Sequence, residues 1–137
     1  MEREKPIVAI LYDFDKTLCT QDMQNYGFIP SLGLAPADFW RLANSFGWRE
    51  KMDGILAYMY TMIQESRKRG VPFTRQTLKH QGRSIAFFPG VTDWFARINR
   101  FGERQGVTVE HYVISSGLRE IIEGSAIAGE FKEIYAS

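Results

Sequence analysis

The chain has 137 residues, which is the size of one ordinary domain. Apolar residues make up 45% of it and the formal net charge is +1, which argues against disorder and against the basic excess of a nucleic-acid binder. A single cysteine, Cys19, excludes an internal disulfide and suits a reducing compartment. The N-terminus does not resemble a signal peptide, and no apolar stretch is long enough to span a bilayer. We therefore expect a cytoplasmic protein that binds a small molecule, with neither nucleic acid nor membrane as a partner.

Residues 7–12, with the sequence IVAILY, predict the first strand. The run is apolar at every position, begins after Pro6 and ends at Asp13. A continuous apolar run of this length is typical of a strand that is buried on both faces of a parallel sheet. A short buried helix is the alternative, but Pro6 and the abrupt polar end favour the strand.

The segment 16–88 predicts helices only. Asp53 can cap a helix that ends at Gly70, and Thr74 can cap the helix that follows. A shorter helix is expected after Pro36, which suits the first turn of a helix. We therefore expect an all-helical insertion after the first strand.

The α/β pattern returns after this insertion. Pro89 and Gly90 mark a turn, and apolar residues at helical spacing follow them. Residues 107–114 and 131–136 predict the second and third strands, with a further helix between them. Because strands that alternate with helices form parallel sheets with right-handed crossovers, the sequence predicts an α/β fold with three parallel strands.

Two carboxylates, Asp13 and Asp15, come directly after the first strand. Ligands of open parallel sheets bind at this edge. One carboxylate can attack phosphorus and form an aspartyl phosphate, while the other protonates the leaving oxygen and later deprotonates water. Because two anions repel an anionic phosphate, we expect Mg²⁺ as a cofactor, with Asp13 and Asp15 as ligands. The alternative is simple turn formation, since Asp often hydrogen-bonds nearby backbone where a strand ends.

Ser115, Ser116 and Gly117 follow the predicted second strand. Hydroxyl groups and backbone N–H groups at the start of a helix can bind an anion. The alternative is that one of the serines only caps the helix that follows. The position of this loop relative to Asp13, after a second strand of the same sheet, favours the anion site.

These two motifs together resemble those of a known superfamily. ILYDFDKT is similar to the first signature of the haloacid dehalogenase-like (HAD) hydrolases, a hydrophobic strand followed by D-x-D-x-T, and VISSG is similar to the second. The resemblance implies a HAD-like Rossmannoid parallel sheet with a helical cap, as in phosphoserine-phosphatase-like members. The α/β core would then comprise residues 1–15 and 89–137, and the cap residues 16–88.

The resemblance also implies an activity and a set of site residues. It implies a Mg²⁺-dependent phosphatase that cleaves a small phosphomonoester, with Asp13 as nucleophile and Asp15 as general acid/base. Ser115 would hydrogen-bond the transferring phosphoryl group, and Ser116 is the second choice for this role. The full set of implied substrate contacts consists of Phe14, Ser115, Ser116 and Gly117.

The third and fourth signatures of the superfamily have no match in this sequence. They are a Lys or Arg and a later group of acidic residues, expected beyond the third strand. The alternative function is therefore that of a truncated, catalytically silent fragment, or of a homologue that binds phosphate or a partner without turnover. Without the strand that carries the fourth signature, residues 7–12 would form an open apolar edge. We expect a further C-terminal segment or a second copy of the chain to cover that edge.

Overall fold

A computed structural model describes residues 3–137, and at its centre lies a three-stranded parallel sheet in the order β1-β2-β3. The strands are β1 (Ile7–Tyr12), β2 (Thr108–Ile114) and β3 (Glu133–Tyr135). Strand β1 pairs with β2 along its whole length. The predicted α/β class and parallel sheet are therefore confirmed, and β1 has the predicted bounds.

The helices lie between and beside these strands. In chain order they are α1 (Phe28–Ser31), α2 (Pro36–Glu50), α3 (Gly54–Arg69), α4 (Arg75–Gln81), α5 (Val91–Arg104) and α6 (Arg119–Glu123). The first four belong to residues 16–88, hereafter the insertion. Across the described residues, no helix combines the length and the apolar character needed to cross a membrane. The predicted division into a core and a cap stays a prediction.

Helices α3 and α4 begin at the predicted residues. The Asp53 side chain accepts two backbone N–H groups of the first turn of α3, and Gly70 ends this helix with a φ of 66°. Thr74 forms a capping box with Thr77 at the start of α4. These short-range hydrogen bonds satisfy the free backbone groups of the helix ends, so the sequence alone determines where the two helices begin.

The two ends of the insertion lie side by side. Cys19 forms an isolated antiparallel bridge with Phe87. Thr20 N donates to the Ala86 carbonyl at 3.1 Å, and Phe88 N donates to the carbonyl of Leu18 at 3.0 Å. The chain therefore leaves and re-enters the α/β part of the molecule at a single place.

One face of the sheet is packed against α5 through a chain of hydrogen bonds. Trp94 Nε1 donates to the Tyr12 hydroxyl oxygen at 2.8 Å. The Tyr12 hydroxyl in turn donates its proton to His111 Nδ1 at 2.8 Å. His111 Nε2 then donates to Asn99 Oδ1 at 2.7 Å. Every polar atom of this buried histidine is paired, as an apolar interior requires. The network fixes Tyr12, the residue that directly precedes Asp13.

The opposite face of the sheet and the outer edge of β1 are exposed. Ile7 (61% exposed), Leu11 (59%), Ile114 (53%) and Tyr135 (58%) all lie on this face. The expectation that β1 is buried on both faces is therefore wrong. The strands follow one another across the sheet in the order of the chain, and right-handed crossovers between such strands place the connecting helices on one face. Helices α5 and α6 therefore cover one face of the sheet and leave the other exposed.

Candidate active site

Asp13 and Asp15 lie in a tight turn directly past β1. Leu18 N and Cys19 N both donate to the Phe14 carbonyl, at 3.0 and 3.3 Å. The turn therefore holds both carboxylates in one short loop, at the edge of the sheet where ligands of open α/β proteins bind.

The carboxylate of Asp13 is exposed and is oriented by two local donors. Phe14 N donates to Oδ1 at 2.9 Å, and the Thr17 hydroxyl donates to Oδ2 at 3.3 Å. Each oxygen keeps a lone pair for another partner. The side chain is thus both positioned and accessible, which suits a nucleophile or a metal ligand.

Asp15 is half-buried and its Oδ1 accepts the backbone N–H of Met23 at 2.9 Å. Burial raises the pKa of this carboxyl to about 6, the Met23 N–H lowers it, and the negative charges of Asp22 and Asp13 raise it further. The nearby Lys16 has a smaller, lowering effect. A carboxyl whose pKa lies near 6 can both give and accept a proton close to neutral pH, as a general acid/base must.

Asp15→Asn is expected to raise the free energy of unfolding by about 1–2 kcal/mol at about pH 7.5 in EDTA, after allowance for solvent screening. The folded-state pKa of about 6 lies above the ordinary value of 3.8, so the folded protein holds this proton more tightly than the unfolded chain. The resulting stabilisation is complete below the ordinary pKa and is lost as the pH rises through about 6. Asn keeps the acceptor for Met23 and carries no charge at any pH.

Urea denaturation at about pH 3 and about pH 7.5 measures this difference, because the two variants should converge where Asp15 is protonated in both states. An equal gain in stability at both pH values would contradict the raised pKa of Asp15.

Ser115, Ser116 and Gly117 follow β2, which is the neighbour of β1 in the sheet. The Ser115 Oγ accepts the N–H of Gly117 at 3.0 Å, so its own hydroxyl proton stays available for an anion. Gly117 packs against Met23 so closely that a Cβ at position 117 would overlap the Met23 Cε. Because the Met23 N–H binds Asp15, the two predicted motifs meet through this methionine.

Phe14, which the sequence predicted as a substrate contact, is a core residue. Its side chain is fully buried and packs edge-on against Phe87, with ring centroids 6.3 Å apart. Its N–H and carbonyl are engaged by Asp13 and by the turn that follows. Phe14 therefore anchors the carboxylate loop to the core through its side chain.

The helix that follows the serines is short, and one N–H group of its first turn is already engaged. Helix α6 has five residues, and the Arg119 N–H in its first turn donates to the Ser137 carbonyl at 2.9 Å. The Gly117 N–H is also engaged. The hydroxyls of Ser115 and Ser116 add side-chain donors for an anion at this loop.

Met23 and Tyr58 reach this site from the insertion, and the motifs do not predict either of them. The Tyr58 hydroxyl donates to the Ser116 carbonyl at 2.6 Å. Helical spacing alone makes Tyr58 an ordinary core aromatic, because nothing local shows which loop its hydroxyl meets. A hydrophobic residue such as Met23 carries no chemical signal in the sequence, since it contributes a backbone N–H to Asp15 and an apolar contact to Gly117.

Comparisons with known proteins give two similarities. A Borreliella burgdorferi protein, described as an uncharacterized protein, is 27% identical over 148 aligned positions, which cover 99% of this chain and 51% of that protein. The chain thus spans about half the length of this curated relative. The crystal structure of a haloacid dehalogenase-like family hydrolase from Xanthomonas campestris is 18% identical, with a TM-score of 0.45, over 98% of this chain and 64% of that one. No protein-family model matches the chain.

Proposed function

We propose that this chain carries the nucleophile part of the active site of a HAD-like phosphohydrolase. The observation that supports it is the pairing of two unlike carboxylates in one loop. Asp13 is exposed and oriented by Thr17, whereas burial raises the pKa of Asp15 to about 6. A half-buried carboxyl with a raised pKa beside an exposed, oriented carboxylate is typical of a general acid/base beside a nucleophile. The nearby Ser115 hydroxyl adds a donor for a phosphoryl oxygen.

The proposed reaction uses these side chains in two steps. In the first, an Asp13 oxygen forms a bond to phosphorus while the bond to the leaving oxygen breaks, and protonated Asp15 gives its proton to that oxygen. In the second, Asp15 takes a proton from a water molecule that attacks the phosphorus, which releases phosphate and restores Asp13. We assign a small phosphomonoester as substrate and the cytoplasm as the site of action.

Mg²⁺ fits the donors at this site. Carboxylate oxygens are its preferred protein ligands, and it is commonly held by one or two of them together with water and substrate phosphate. Asp13 and Asp15 would hold it, Asp15 through an oxygen other than the one that carries the transferred proton. Residues 3–137 contain no group of three or more His, Cys, Asp or Glu side chains placed to bind a metal. When bound, the ion would neutralise charge between the carboxylates and the phosphate.

Hydrolysis of an aryl phosphate, with Mg²⁺ and with EDTA, tests the proposal. We expect turnover that depends on Mg²⁺. Binding of inorganic phosphate without turnover, measured by calorimetry, would instead indicate the homologue that binds phosphate but does not cleave it. Failure of both binding and turnover, in this chain and in any longer form, would overturn the proposal.

We also propose that a second polypeptide segment covers the open edge of β1 and the bare face of the sheet. This segment would come from a second copy of the chain or from a longer form of it. Exposed apolar side chains beside an unpaired strand edge promote strand pairing and association. Ile7 and Leu11 supply such side chains on β1 itself.

Leu11→Lys is expected to reduce self-association of this chain, since a charge on an edge strand opposes pairing with another strand. Sedimentation velocity between about 10 and about 100 μM measures the change, in the range where exposed apolar surface drives association. The matched control is Trp48→Lys, which removes an even more exposed apolar side chain (89% against 59% for Leu11) near the C-terminal end of α2. A wild-type chain that stays monomeric throughout would contradict self-association.

A further inference from the structure

The peptide group that joins Ser116 to Gly117 is hydrogen-bonded at both ends. Its carbonyl accepts the Tyr58 hydroxyl at 2.6 Å, and its N–H donates to the Ser115 Oγ at 3.0 Å. Because a peptide group is planar and rigid, holding both ends fixes its orientation. One of these partners comes from the insertion and the other from the loop itself.

The Tyr58 hydroxyl is held in place by the packing of its ring. Tyr58 is buried on the inner face of α3 and packs edge-on against Trp40, with ring centroids 5.8 Å apart. The Trp40 indole N–H in turn donates to Asn25 Oδ1 at 2.8 Å. The position of the hydroxyl is therefore fixed by the packing of the Tyr58 ring in an ordered aromatic cluster.

Tyr58 acts as a hydrogen-bond donor under all working conditions. Burial, followed by the negative charge of Asp15, raises the pKa of its hydroxyl to about 12, although the side chain of Gln24 lowers it somewhat. A phenol that stays protonated is unsuited to proton transfer near neutral pH. Its proton is directed to the Ser116 carbonyl instead.

We propose that Tyr58 is a positioning residue for the serine loop and sets the direction of the Ser115 hydroxyl. Tyr58 holds the carbonyl of the Ser116–Gly117 peptide, and the N–H of the same peptide occupies one lone pair of the Ser115 Oγ. The Ser115 hydroxyl proton therefore points outward, to a phosphoryl oxygen. This last step rests on the proposed function. Since Tyr58 lies on α3, the loop has this geometry only while the insertion is docked on the sheet.

Amide hydrogen exchange at Gly117, followed by NMR, tests the positioning directly. Tyr58→Phe keeps the ring and removes the hydroxyl, and it should speed exchange by about three- to tenfold, the effect of one lost hydrogen bond. The matched control is Tyr60→Phe on the same helix, whose half-exposed ring stacks on Phe46 at 4.5 Å, away from the loop. Unchanged exchange in a folded Tyr58→Phe variant would overturn the inference.

Titration with inorganic phosphate and Mg²⁺ then tests the effect on Ser115. Tyr58→Phe should weaken binding by about three- to tenfold, and Tyr60→Phe should leave it unchanged. The double variant Tyr58→Phe/Ser115→Ala should bind as weakly as Ser115→Ala alone, because both changes act through one hydroxyl. Fully additive losses would overturn this role of Tyr58.

The two measurements separate the inference from the proposed function. A wild-type chain that does not bind phosphate would refute the proposed function, while Gly117 exchange would still decide the role of Tyr58. If Tyr58→Phe does not fold, the wild-type NMR spectrum decides: the Tyr58 hydroxyl proton should exchange with water slowly enough to give a resolved signal. The absence of such a signal would overturn the inference.

Discussion

Asp13→Asn is expected to lower Mg²⁺-dependent hydrolysis of an aryl phosphate by at least about a thousandfold, the scale of loss seen when a nucleophile is removed. An amide oxygen is a poor nucleophile and forms no stable phosphorylated intermediate. The side chain of Asp13 is exposed, so the substitution removes no packing, and Asn still accepts a hydrogen bond from Phe14 N or Thr17. Initial rates and far-UV circular dichroism measure activity and fold together.

Asp38→Asn is the matched control for this substitution. It also removes one carboxylate, but in the exposed first turn of α2, where Asp38 pairs with Arg41 at 3.1 Å. Its rate should stay within about twofold of the wild type, as expected of a surface site. Full activity in Asp13→Asn would refute the role of Asp13 as nucleophile. An equal loss of activity in both variants would indicate a general effect of charge.

Gly124→Ala is expected to destabilise the protein by about 3 kcal/mol or more, the upper range for overpacking a close contact. The position that the new methyl group would take overlaps the carbonyl of Lys79, where α4 packs against the end of α6. Backbone atoms cannot rotate away as a side chain can, so the two helices must separate. The φ of Gly124 is −82°, which alanine adopts freely, so the cost comes from packing alone.

Urea denaturation compares this variant with Gly129→Ala, where the added methyl group meets no atom within 4 Å. The control should change stability by no more than about 0.5 kcal/mol. Equal changes in stability for the two substitutions would mean that the Lys79 carbonyl and Gly124 are not in close contact. The contact joins the insertion to the α/β part, so its loss should also loosen the insertion.

The sequence predicts well those elements whose signals are local. The bounds of β1 follow from an unbroken apolar run, and both ends of α3 follow from Asp53 and Gly70, whose hydrogen bonds and backbone angles need no distant partner. The exposure of β1 was not predictable in this way. The burial of a strand depends on which strands and helices lie beside it. A strand in the middle of a sheet and a strand at its edge can have the same apolar sequence.

The same division holds for the candidate site. D-x-D-x-T is a local pattern, and the structure explains it, since Thr17 orients Asp13. The raised pKa of Asp15 and the contact from Tyr58 arise from the folding of the insertion over the loop. The contact from Tyr58 joins residues 58 positions apart in the chain, and the sequence has no periodicity or spacing that marks this contact or the burial of Asp15. The roles assigned to Asp13, Asp15 and Ser115 stay predictions until the assays are done.

The paired ends of the insertion have a consequence for how such a protein can diversify. Because Cys19 and Phe87 bridge at one joint, the segment between them can change in length or composition without altering the register of β1 with β2. Insertions are tolerated best where their two ends lie close together. The length of the helical segment can therefore vary at this joint, provided that Met23 keeps its contact with the carboxylate loop and Tyr58 its contact with the serine loop.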